Sequence, residues 1–421
     1  MKIDRSTEVK PVAEERVLMD ESFRPLWMFI RYNGILPDFL DHENVNRLFF
    51  IARFLVTSFI AGTILIYTAF ELFELVVEIP KTNDKTKTVF VLLYFLFGLF
   101  GLICLHQCVL YQKEFVQFFK DWKNFEIQSL EYFHGIKNRK RIKVLYFVYA
   151  MILAKILLIG FFWNLMQPNI PAFLSHSSFL RNKLGIPLLI FITVIFAYFS
   201  HVFSFLGEIT PTVFYYHAGC IIEDLDRGLK HISEEVYFKS LDLKQSDTSF
   251  DATLIISNLN LQFQTVRPFR NVWEKYETIF DWVQRANKLF AILILSGYSA
   301  VFIFSATSIY MALKNLTESY MLALGFFSLF ICSCLRTLFM NRLMSHLVIS
   351  CGKLKSTVAE LLSRKWTLLS EEDRLLLASF RSRLDTEVLA ASPFDLYSVN
   401  PSNLLTMLSL IVTYTIVLLQ F

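Results

Sequence analysis

The residues best placed to do chemistry lie in the last twenty of this 421-residue chain. Written as a helix, Ser402, Thr406, Ser409, Thr413, Ile416 and Gln420 fall on one face, although the segment is otherwise mostly Leu, Ile, Val and Met. A polar stripe on so apolar a helix must meet protein or water, because lipid offers it no partner. Two uses fit. The stripe can line a water-filled path, or its hydroxyls can bond their own backbone and let helices approach closely. Elsewhere the pattern is silent on covalent chemistry: there is no HExxH, no nucleotide-binding loop and no nucleophile beside a base. We therefore expect no enzyme, no metal, no cofactor and no nucleic acid partner.

The chain that presents this helix is 54% hydrophobic and only 19% charged, against roughly 25% charged residues in soluble domains. Its 44 Phe residues exceed what one soluble core of this size could hide. Met1–Asp20 is polar and mixed in charge, so no cleaved leader is expected and targeting rests on the first apolar span. The cysteines Cys104, Cys108, Cys220, Cys332, Cys334 and Cys351 lie in apolar spans or adjoining loops and read as small hydrophobes rather than a disulfide framework.

A bilayer core of about 30 Å needs roughly 20 apolar helical residues. Seven segments qualify: Leu48–Phe70, Thr88–Leu110, Ile142–Leu165, Leu184–Thr210, Leu289–Leu313, Glu318–Met340 and Ser402–Phe421. The predicted fold is an all-α, seven-transmembrane bundle. Of the 41 Lys and Arg residues, 31 fall in 1–47, 111–141, 211–288 and 341–401, and 6 in the alternate loops. The positive-inside rule then places the N-terminus in the cytoplasm and the C-terminus outside. This orientation opposes a G-protein-coupled receptor, and Asn400-Pro401 reads as a helix cap with proline at the first turn rather than as part of an NPxxY motif.

The expected organisation is a cytoplasmic segment 1–47, transmembrane helices 1–4 over 48–210, and cytoplasmic helical extensions over 211–288. Transmembrane helices 5 and 6 follow over 289–340 as a tight hairpin, then anchor helices over 341–401 and the last helix over 402–421. Leu259, Phe263, Val266 and Trp273 should lead into span five, with Lys239–Phe250 a polar insert, and Leu343–Leu362 should continue span six. Ser370-Glu-Glu-Asp373 looks like a capping-box start, with Leu375, Leu376, Ser379, Leu384 and Val388 as its packing face. Arg53 and Arg336 read as anchors reaching headgroups, and His106 and His201 as packed side chains. The sequon Asn315-Leu-Thr317 makes Asn315 a candidate glycosylation site.

Thr413-Tyr414, five residues of which all but Thr415 are fully apolar, and Gln420-Phe421 resemble the TYhhhhhQF signature of insect gustatory receptors. That resemblance implies a ligand-gated cation channel, homo- or heterotetrameric, in the plasma membrane of chemosensory neuron dendrites. Its partners would be a small-molecule tastant, permeating cations and the lipid bilayer. The family's pore positions fall on Val417, Gln420 and Phe421, and Thr413 adjoins them on the polar stripe. Val417 and Phe421 would constrict, Gln420 would contact ions or neighbouring subunits, and Tyr414 would pack between helices. A chain ending at Phe421 would also bring its carboxylate and the negative helix end to the outer mouth. The alternatives are an odorant-receptor-type subunit, a metabotropic heptahelical receptor or a transporter.

A ligand would be sought in the outward halves of the spans, where Tyr94, Lys155, Trp163, Asn164, Phe304, Thr307 and Tyr310 combine aromatic walls with hydrogen-bonding groups. Lys155 stands well inside span three, where an ammonium costs about 2.5–3.5 kcal/mol, so it either pairs within the bundle or serves the pocket. The scarcity of outer carboxylates leans toward a less polar tastant.

Overall fold

The computed structural model describes residues 47–78, 85–130, 150, 207–234, 252–317, 320–364 and 369–420. Among these there is no strand. Most of spans three and four, with Lys155, Trp163, Asn164 and His201, lies outside the described residues, as do the insert Lys239–Phe250 and Phe421.

Helices account for the apolar segments because a chain in lipid must satisfy its backbone internally. We number them α1 (Arg47–Phe73), α2 (Lys85–Leu110), α3 (Gln112–Leu130), α4 (residues 207–234), α5 (Ala252–Leu289), α6 (Ala291–Lys314), α7 (Tyr320–Arg364), α8 (Glu371–Thr386) and α9 (Pro401–Gln420). Ser58–Val77, Ala291–Lys314 and Ala323–Arg364 are long and apolar enough to cross a membrane. Their outward faces carry Phe59, Leu65, Ile66, Leu324 and Leu335, all exposed. In water such a surface would be a liability. Against lipid it is the required one.

Two levels stack along the long axis. In the apolar level, α1 packs on α2, α2 on α6, and α6 on α7 and α9. The α6–α7 hairpin turns through Asn315, whose amide nitrogen Nδ2 donates to the Met311 carbonyl at 2.8 Å. Midway along the hairpin, Ser305 donates to Ser333 at 3.1 Å. The 45 residues of α7 extend about 68 Å, more than twice a bilayer core, so its second half must leave the membrane.

That second half joins α3, α4, α5 and α8 in a densely packed polar level. Its core is aromatic. Trp122 stands edge-on to Phe214 at 4.9 Å and to Trp282 at 5.8 Å, and Phe118 edge-on to Trp282 at 5.2 Å. Phe290, fully buried, sits in the one-residue break between α5 and α6 and joins the same cluster. Truncating such a ring costs about 3–5 kcal/mol. This level therefore carries much of the tertiary stability.

The amphipathic pattern leading into span five corresponds to α5 running into α6, and Leu343–Leu362 does continue span six. A helix over 112–130 was not anticipated; Phe115, Phe118 and Trp122 are its buried stripe. Ser370 caps α8 by accepting from the Asp373 amide at 3.1 Å. The packing face of α8, however, is Asp373, Leu377, Phe380 and Leu384. Of the expected face Leu376 and Leu384 hold, whereas Leu375 and Val388 are 66% and 70% exposed and Ser379 is exposed too. Phe380 decides the register by stacking on Trp273 at 5.9 Å.

Candidate functional site

The last helix begins where its first residues demand. Asn400 accepts the Asn403 amide on Oδ1 at 3.1 Å, and Pro401 occupies the first helical position, where no amide is needed. Ile411 and Thr415 turn inward, at 2% and 4% exposure. The opposite face carries the polar stripe: Ser402, Thr406, Ser409, Thr413, Ile416 and Gln420 are all exposed on the single subunit.

The threonine hydroxyls on this helix are held by their own backbone. Thr413 donates to the Ser409 carbonyl at 2.9 Å and Thr415 to Ile411 at 2.8 Å. Their donors are thus spent, while the oxygen lone pairs of the exposed threonine remain free to meet water or a cation. Val417 is 39% exposed, and Tyr414, half-exposed, sets its ring edge-on to Phe302 of α6 at 5.4 Å. Thr413, Val417 and Gln420 therefore share the surface that α9 turns away from its own bundle, with Tyr414 at its margin.

Of the residues considered for a ligand, Phe304, Thr307 and Tyr310 lie along one side of α6. Phe304 is half-buried. Thr307 is buried and donates to the Ile303 carbonyl at 2.8 Å. Tyr310 is packed with Met311, Ala312 and Phe326 where α6 meets α7. The side chain of Tyr94 lies outside what is described, as do Lys155, Trp163 and Asn164. Asn315 is 8% exposed and occupied with the end of α6.

Three residues correct expectations or were missed. Arg336 is no headgroup anchor: its guanidinium is turned into the bundle, where Nε donates to Glu208 Oε2 of α4 at 2.8 Å and Nη2 closes on the same oxygen. Both side chains are nearly buried. A signal existed, since two opposite charges in apolar spans should pair; only the partner was hidden. His106 is exposed rather than packed. Asn341, 2% exposed, accepts from the Tyr298 hydroxyl at 3.1 Å and donates to the Asn400 carbonyl at 3.1 Å, tying α6, α7 and α9 together. No local pattern marks such an asparagine.

Outside the apolar level the electrostatics are orderly. Glu223 of α4 meets Lys353 of α7 at 3.1 Å. Burial pushes its carboxyl up, but the Lys353 hydrogen bond and the charges of Lys353, His346 and Arg227 outweigh this and hold it below its ordinary value. Arg383 of α8 donates to both oxygens of Glu277 of α5, at 3.0 and 3.2 Å.

An all-helical bundle with several apolar spans and a polar-striped terminal helix defines a multi-span membrane protein. Over residues 23–421 the sequence matches the family model described as 7tm Chemosensory receptor, and the chain belongs to that family. The fold is similar to that of the insect olfactory receptor OR5 from Machilis hrabei in complex with eugenol, with TM-score 0.69 and 14% identity, covering 96% of this chain and 98% of that one. A second structure of the same receptor gives TM-score 0.63 at 14% identity, over 94% of this chain and 97% of that one. No curated protein sequence matches.

Proposed function

We propose that this chain is one subunit of a tastant-gated, non-selective cation channel of the gustatory type, with four copies of α9 around the pore. The observation that carries this reading is the exposed polar stripe of α9. Lipid offers nothing to its remaining hydroxyl lone pairs or to the Gln420 amide, and one helix cannot enclose a path for ions; closed cyclic symmetry brings four such faces to a common axis. Thr413 and Gln420 then offer polar contacts to the path, Val417 and Phe421 constrict it by dewetting, and Tyr414 packs the wall. The TYhhhhhQF match supports the gustatory assignment over an olfactory one.

In this reading the N-terminus is cytoplasmic, the C-terminus faces outward, and the protein resides in the plasma membrane of chemosensory neuron dendrites. It forms homo- or heterotetramers and catalyses no covalent step. The similar receptor was solved with eugenol, which supports a small organic ligand here too. Its pocket would draw on Tyr94, Lys155, Trp163, Asn164, Phe304, Thr307 and Tyr310. Such a ligand opens the channel by binding the open arrangement more tightly than the closed one.

The test uses excised patches from cells expressing the chain, without nucleotide, exposed to sugars, bitter compounds and eugenol. A ligand-evoked cation current is expected, with conductance altered by Gln420→Ala and Val417→Ala. Responses that vanish on excision, or a C-terminal epitope stained only after permeabilisation, would overturn the reading.

A further inference from the structure

The connection from α8 to α9 is held at both ends by a buried asparagine. Near its start, Asn287 of α5 accepts on Oδ1 from the Tyr215 hydroxyl at 2.7 Å and the Ser392 amide at 3.0 Å, and donates from Nδ2 to the Ala390 carbonyl at 3.1 Å. At its end, Asn341 holds the Asn400 carbonyl. Between the two the chain closes on itself: the Val399 amide donates to Ala391 at 2.8 Å, and Asn403 Nδ2 to the Ser398 carbonyl at 2.6 Å. A segment so bonded behaves as a strut, and α9 cannot swing freely on it.

Asn341 differs from Asn287 in what it joins. One side of its amide belongs to α6 through Tyr298, the other to the residue that caps α9. Tyr298 also meets the strut directly, its ring edge-on to Tyr397 at 6.3 Å. Buried amides tolerate few intermediate states, because a group that loses its partner there pays its full desolvation cost. A shift of α6 along α7 must therefore draw the Asn341 side chain, and through it the foot of α9, or break the chain of bonds outright.

We infer that Asn341 is a positioning residue for α9: through Tyr298 it senses the register of α6 against α7, and through the Asn400 carbonyl it sets the foot of the last helix. The inference deepens the pore reading above and rests on it for its functional meaning.

Hydrogen–deuterium exchange on the full-length protein in lipid nanodiscs tests it without any ligand. Asn341→Ala should speed exchange of the amides at 402–406 by about tenfold, the factor one net hydrogen bond is worth. Tyr298→Phe keeps the ring and the packing, and should speed the same amides severalfold although it touches none of them. The double variant should do no more than Asn341→Ala alone, since both act through one chain. If Tyr298→Phe leaves 402–406 unchanged, or the two effects multiply, Asn341 is only a local brace and the inference fails. Coupled exchange with no current from any variant, wild type included, would instead sink the pore reading.

Discussion

Arg336 and Glu208, 128 residues apart in sequence, form an ion pair inside the bundle, with two guanidinium nitrogens on a single carboxylate oxygen. The other oxygen, Glu208 Oε1, is buried without a hydrogen-bond partner among the described residues. A cavity of about 20 Å³ adjoins the pair, lined by Thr212, Gly297, Tyr298 and Thr337 among others. The pair links α4 to α7 close to the level at which Asn341 takes hold of α9.

Breaking this pair from one side strands a charge in apolar surroundings. Glu208→Gln or Arg336→Leu alone should each cost about 3 kcal/mol, read as a lowered melting temperature in detergent. Replacing both with apolar residues should recover most of that loss. Additive losses in the double variant would show that the two side chains act independently.

Two glycines sit where a methyl group has no room. A Cβ on Gly219 of α4 would lie 2.8 Å from the Leu347 amide nitrogen, which is backbone and cannot step aside; one on Gly297 would lie 2.6 Å from Glu208 Cγ, pinned by Arg336. Overpacking of this kind costs about 1–3 kcal/mol. Gly219→Ala should destabilise at least as much as Gly297→Ala, and Gly297→Ala should lose much of its effect in an Arg336→Leu, Glu208→Ala background, where Cγ is gone. Equal effects of Gly297→Ala in both backgrounds would contradict this geometry.

Lys275 of α5 is half-buried, and burial lowers its ammonium pKa to about 8 from 10.5. The folded state thus binds fewer protons than the unfolded one between those values, and stability gains a rising contribution from pH 8 to 10.5. The charged form carries a penalty below pH 8. Lys275→Met should remove it, raising stability at neutral pH by at most about 1 kcal/mol once solvent screening is allowed for, and flattening the alkaline rise. Melting curves from pH 7 to 10.5 for both proteins decide the matter.

Asn315 matches a glycosylation sequon but is 8% exposed, with its amide on the Met311 carbonyl. We expect no glycan there. Treatment of the protein from insect cells with an amide-cleaving glycosidase should leave its mobility unchanged, as should Asn315→Gln. A shift in either would mean that the α6–α7 turn opens before or after insertion.

How far the sequence reaches is clearest at the two ends of α9. Asn400-Pro401 announced its own start, because a cap depends on residues three apart, and the stripe from Ser402 to Gln420 was legible because a helix repeats every 3.6 residues. The same local rules gave the long apolar spans and the start of α8 at Ser370. In α8 they failed by phase: Leu375 and Val388 are as apolar as Leu377 and Leu384, and only Phe380 meeting Trp273 and Tyr276 settled which stripe is buried.

By itself, then, the sequence determined that this is a bundle of apolar helices, where its last helix begins, and which face of that helix is polar. These are properties of single segments, fixed by hydropathy and helical period. Tertiary structure alone decided that Arg336 turns inward to Glu208, that Gly219 must stay small, and that Asn341 joins Tyr298 to Asn400. Each of these depends on which helices come side by side, and residues 59 or 128 positions apart leave no mark of their meeting in any local pattern.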